Sequence, residues 1–151
     1  MDPKLLSEML DGCFDFAHTV LTKEGAFFPF GETADASGVR SMVGGYNGEE
    51  HPSPREIYDL LLGAFRESAR DSKISAAALA ADVTVPTEYE SPYPDAVRVL
   101  VEAPGYSRFV YRPYRVIEPA GIGRLFRRGR EVAYGEVFSV SMPPQLSWPG
   151  V

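Results

Sequence analysis

A chain of 151 residues, 44% hydrophobic and 24% charged, is long enough for one domain with an ordinary core and too short for two of usual size. One cysteine and two histidines exclude a disulfide framework and leave almost no material for a His/Cys metal cage, so neither metal nor cofactor is expected. No run approaches the ~20 apolar residues of a bilayer span, and Met1-Asp2-Pro3-Lys4 is not a leader's basic region followed by an apolar one, which leaves no membrane role and a cytoplasmic setting.

The formal net charge of −6 is unevenly spread. Residues 1–60 hold four Lys/Arg against eleven Asp/Glu, net −7; residues 61–105 are net −3; residues 106–151 are net +4. Such a chain repels a phosphate backbone, which argues against nucleic acid. The acidic first part keeps the chain soluble, and in the sharper reading it steers a basic protein partner.

Residues 4–22 carry a helical period. Leu6, Met9, Leu10, Cys13, Phe16, Ala17 and Val20 share one stripe, with Gly12 a weak point and Gly25 the stop. Cys13 lies mid-stripe, where a thiol is a small hydrophobe of raised pKa and not a nucleophile. His18 lies on the acidic side, within reach of Asp15. Residues 26–31 read as a short strand that Pro29 pushes to a sheet edge or a bulge, and residues 39–43 return antiparallel after the Asp35-Ala36-Ser37-Gly38 turn. Ser53-Pro54-Arg55-Glu56 is a capping box opening a helix to residue 71 or 72. The apolar arc of that helix, from Ile57 and Tyr58 through Leu60, Leu61, Leu62 and Ala64 to Phe65, is wide enough to touch both the sheet and the first helix.

Residues 74–85 suit a central strand covered by a helix, and residues 95–103 alternate cleanly around Val97, Val99 and Val101. Strands over 106–116 and 131–140 follow, separated by a loop over 118–130. Residues 1–140 thus read as a single α+β domain. It is an antiparallel sheet of five to six strands with two helices on one face, in the order α-β-β-α-β-β-β-β, and residues 141–151 form an irregular, proline-rich tail.

Catalytic vocabulary is thin. Gly121-Ile122-Gly123-Arg124-Leu125-Phe126 lacks the third glycine and the βαβ setting of a dinucleotide loop. The strand–strand–helix order resembles the front half of the cytidine deaminase fold, but His51-Pro52-Ser53-Pro54-Arg55-Glu56 is not that family's zinc motif and no second cysteine exists. The suggestive constellation is polar. With the valines facing the helices, Arg98, Glu102 and, by the same counting from Val83 and Val85, Asp82 point outward, where Tyr111, Arg112 and Tyr114 can join them as a binding site or as ordinary cross-strand pairs. Arg124, Arg127, Arg128 and Arg130 are read as a clasp on the outward Asp11 and Asp15 of the first helix.

Phe28-Pro29-Phe30-Gly31, the helix over 56–69, the strands over 77–83 and 95–99, and Ala133-Tyr134-Gly135-Glu136-Val137-Phe138 resemble a family of small bacterial α+β proteins of unknown function. That resemblance implies a bacterial cytoplasmic protein of one compact domain and transfers no functional residue. The expected function is non-enzymatic protein binding, of which an immunity- or antitoxin-like role toward a basic partner is one version. A ligand-binding or enzymatic polar sheet face and a structural homodimer are the alternatives.

Overall fold

Asp2 starts the first helix: its side chain accepts from the amides of Lys4 and Leu5 (3.1 and 3.4 Å), Pro3 occupies the first turn, and α1 runs Pro3–Glu24 to a left-handed cap at Gly25. The computed structural model describes residues 1–45, 52–119, 121 and 129–150; His51, the 122–126 part of the glycine motif, and Arg124, Arg127 and Arg128 lie outside them. The buried stripe of α1 is Leu6, Met9, Cys13, Phe14, Ala17 and Leu21. It is rotated towards Phe14 and Leu21 relative to the expected one, which leaves Phe16 46% exposed against the edge of Phe30.

β1 (Phe30–Ala34) and β2 (Arg40–Gly44) form a hairpin whose turn is closed by Asp35, with Oδ1 accepting from the amides of Ser37 and Val39. Pro29 precedes β1 and is on neither an edge strand nor a bulge, because β1 pairs with β2 on one side and β3 on the other. α2 (Pro54–Arg70) opens where expected, Ser53 Oγ accepting from the Glu56 amide at 3.1 Å. Then come β3 (Ala76–Thr84), β4 (Asp95–Ala103), β5 (Tyr106–Ile117), β6 (Glu131–Tyr134) and β7 (Phe138–Ser141). The sheet is antiparallel throughout, ordered β2-β1-β3-β4-β5-β6 with β7 also on β5, so the α+β class and the order of elements are as expected. Among the described residues no helix is long and apolar enough to cross a membrane.

The helices do not share a face. α1 packs on Ala76, Ala78, Ala80, Val97, Val99 and Val101, whereas Ile57, Leu61, Phe65 and Ala69 of α2 pack on Ala77, Leu79 and Leu100 from the other side. The reason is visible in β3: its run of alanines is small and apolar at consecutive positions, so both faces accept a helix, as in a strand buried on both sides. Gly31 assists on the α2 face, since a Cβ there would stand 2.6 Å from the Phe65 ring. The α2 arc is narrower than expected. Its buried residues cluster with the sheet and with Leu146 and Trp148 beyond the last strand, not with α1, and Leu60 is 44% exposed.

The single last strand expected over 131–140 is two. β6 pairs with β5 up to Tyr134↔Tyr114 and β7 resumes at Phe138↔Tyr111, so residues 135–137 stand opposite only Arg112 and Pro113. Pro113 has no N–H for the ladder, while its carbonyl accepts from Gly135 N at 2.8 Å. This bulge reverses the alternation, so Tyr134 joins the α1 face and Phe138 the α2 face. Residues 142–150, beyond β7, form no helix or strand, yet Leu146 and Trp148 are buried in the α2-side core.

Two surface expectations change. His18 Nδ1 lies 2.5 Å from Tyr134 Oη on β6 and not against Asp15. Arg130 does not reach Asp11 or Asp15; it pairs with Glu118 (2.9 Å) and donates to the Lys23 carbonyl (2.6 Å), where the negative end of α1 attracts a cation.

Candidate functional site

Register separates the six sequence-derived residues into two groups. Asp82↔Val97↔Arg112 are cross-strand neighbours on the α1 face, and Tyr114 shares that face. Ala81↔Arg98↔Tyr111 and Ala77↔Glu102↔Ser107 lie on the α2 face. Asp82 is therefore not beside Arg98 and Glu102 as counted from Val83; its neighbour Val97 fixes it to the opposite side.

On the α1 face Tyr114 Oη donates to Asp82 Oδ1 at 2.5 Å. Burial pushes the Asp82 carboxyl up, and the bonds from Tyr114 and the Phe27 amide pull it part of the way back; burial and Asp82 together hold the Tyr114 phenol above its ordinary value. Arg112 lies 3.5 Å from the Tyr134 ring centroid. Nearby, buried Glu32 pairs with Arg40, which also donates to the Glu8 carbonyl, and Gly12 leaves room for both: a Cβ there would meet Arg40 Nη2 at 2.7 Å and Glu32 Oε2 at 2.8 Å. These are closed contacts beneath a helix.

Glu102, on the other face, is fully buried. Oε1 accepts from the Leu146 amide and Trp148 Nε1 (2.9 Å each), and Oε2 from the Gln145 amide (2.9 Å) and Ser107 Oγ (3.0 Å). Its role is to bind the tail to β4.

Arg98 is different. A pocket of about 570 Å³ opens between α2 and the sheet, with Arg98, Tyr58, Phe109, Arg66, Arg55 and Gln145 on its wall. The Arg98 guanidinium is held between two rings, 4.2 Å from the Phe109 centroid and 5.4 Å from that of Tyr58. Its Nε is buried without a hydrogen-bond partner, and among the described residues no carboxylate pairs with it. Burial raises the phenols of Tyr58 and Tyr111, and Arg98 lowers both against that trend. Tyr111 stacks on Phe138 (4.9 Å, 10°) and abuts Tyr89, so a rigid aromatic block backs the arginine.

Tyr58, Phe109, Arg66 and Gln145 were not among the sequence-derived residues. One signal was available: Arg55, Tyr58, Asp59, Leu62 and Arg66 recur at helical spacing beside the buried stripe. Gln145 had none, since the tail is placed by residues remote in sequence, Glu102 and Arg66 among them. No family model, curated protein or solved structure matches the chain, so its site is read from geometry.

Proposed function

We propose that this chain is a small-molecule-binding domain that seats an acidic group of its ligand on Arg98, in the pocket between α2 and the sheet. One observation carries the reading: a guanidinium fixed by two aromatic rings, with a buried N–H lacking a partner, on the wall of an open pocket of ligand size. A buried donor without an acceptor costs free energy, and an incoming oxyanion removes that cost. Prior fixation of the side chain also reduces the ordering that binding requires. A cytoplasmic setting belongs to this reading, supported by a lone cysteine that is free and buried.

The test is a thermal-shift screen of small organic acids beside their amides and amines. Acids alone should raise the melting temperature, and Arg98→Gln should remove the effect. Equal response to the neutral amides, or an unchanged response in Arg98→Gln, would reject the assignment.

The outer edge of β2 favours a second reading. Met42, 50% exposed, lies on the terminal strand of the sheet and Val39, 61% exposed, just precedes it; here a strand of a basic partner or of a second copy can add. Light scattering of the purified protein and salt-dependent capture from host extract separate those two occupants.

A further inference from the structure

We propose that the acidic group is the phosphate ester of a small metabolite, held jointly by Arg98 and Arg66. The inference rests on the pocket being a ligand site and is drawn from its charges. Arg55 is offset by Asp59, one turn along α2, at 3.4 Å. Asp82 also lines the pocket, but it projects from the other face by register, its Oδ1 accepts from Tyr114, and it forms no ion pair with either remaining arginine. Arg66 and Arg98 remain, and among the described residues neither has a carboxylate partner.

Arg66 uses Nε on the Gln145 carbonyl, 2.8 Å away, which ties its base to the tail and leaves its terminal N–H groups free. Arg98, on the same lining, brings a guanidinium whose Nε has no partner. Two uncompensated guanidiniums on one pocket match a phosphate monoester, which carries about −1.5 to −2 at neutral pH and has three acceptor oxygens. A carboxylate offsets only one of them. Arginine's planar fork suits that geometry. The scale selects a metabolite: about 570 Å³ lies within the range of small-ligand sites, and the net charge of −6 opposes an anionic membrane.

Phenyl phosphate and benzoate, titrated calorimetrically into the intact chain, separate the cases. At about pH 7.5 phenyl phosphate should bind roughly tenfold tighter, the worth of one further charge-assisted bond. The advantage should shrink at about pH 5, where the phosphate loses its second charge. Arg66→Gln should remove most of the preference while leaving benzoate binding intact, and Arg98→Gln should weaken both probes. Exposed Arg70→Gln, whose partners are Glu67 and Asp71, is the control that changes neither. Trp148 fluorescence verifies that each variant is folded. Equal affinity for the two probes, or an unaltered preference in Arg66→Gln, overturns the phosphate assignment and leaves the pocket reading standing. A phosphoserine peptide binding more tightly than phenyl phosphate overturns the metabolite. Failure of both probes together with an inert Arg98→Gln overturns the pocket itself.

Discussion

Glu102 is a buried carboxylate with no ion-pair partner among the described residues, held by four hydrogen-bond donors, two on each oxygen. Such a group persists only while all its partners are present, because a buried charge without hydrogen bonds is costly. Glu102→Gln tests this with almost no change of volume. An amide places N–H groups where one pair of donors now points, so at least two donors lose their acceptor. The expected loss is about 3 kcal/mol in urea unfolding, at ~1–3 kcal/mol per orphaned group. Trp148 is the only tryptophan, and its emission should shift to the red as the tail loosens. At this scale the sequence was half legible. Strand alternation assigned Arg98 and Glu102 to one face, and they do share it, but that face is covered by α2 and the tail and not turned outward, so Glu102 is buried. Their different fates were not legible, because the residues that distinguish them are remote in sequence: Gln145, Leu146 and Trp148 around Glu102, and Tyr58 and Phe109 around Arg98.

Local chemistry was the more readable at the scale of elements. Ser53 needs only its next three residues to act as a cap, and its Oγ accepts the Glu56 amide as expected. Ser53→Ala should therefore cost about 1 kcal/mol, seen as an earlier midpoint in urea at unchanged slope. An undiminished midpoint would mean that the pocket-side start of α2 is held by other contacts. Elements whose form depends on a distant partner were less readable. Pro113 interrupts the ladder of β5, and the chain opposite answers with a bulge at 135–137 that no local signal beyond Gly135 announces. Placement of the helices failed for a related reason. Alternating valines in β4 point to one buried face, but β3 is apolar at successive positions, and only that second strand reveals that both faces are covered.

Stability of the whole molecule should depend on a thiol in alkaline solution. Cys13 is fully buried between α1 and the sheet; burial first, and the nearby Glu32 carboxylate second, push its pKa from 9.0 up to about 12, with Arg40 opposing. A group whose pKa is raised by folding contributes stability that is complete below its unfolded value and is lost as pH climbs towards the folded one. The window is therefore pH 9 to about 12, in which the unfolded chain ionises its thiol and the native chain does not. Linkage sets the slope at up to ~1.4 kcal/mol per pH unit and the loss between pH 9 and 10 at about 1 kcal/mol. Tyr58, Tyr111, Tyr114 and Tyr134 are raised as well, from 10.0, and act in the same direction at higher pH. Their effect is common to the native sequence and to Cys13→Ala, so comparing the two isolates the thiol. Cys13→Ala also loses a constant amount from the sulfur it no longer packs, and that amount does not vary with pH. Urea unfolding at pH 8, 9 and 10 should show the native sequence losing about 1 kcal/mol more than Cys13→Ala over the last unit. Parallel lines would place an ionisable, water-accessible thiol at position 13 and would contradict the packing of α1 on the sheet.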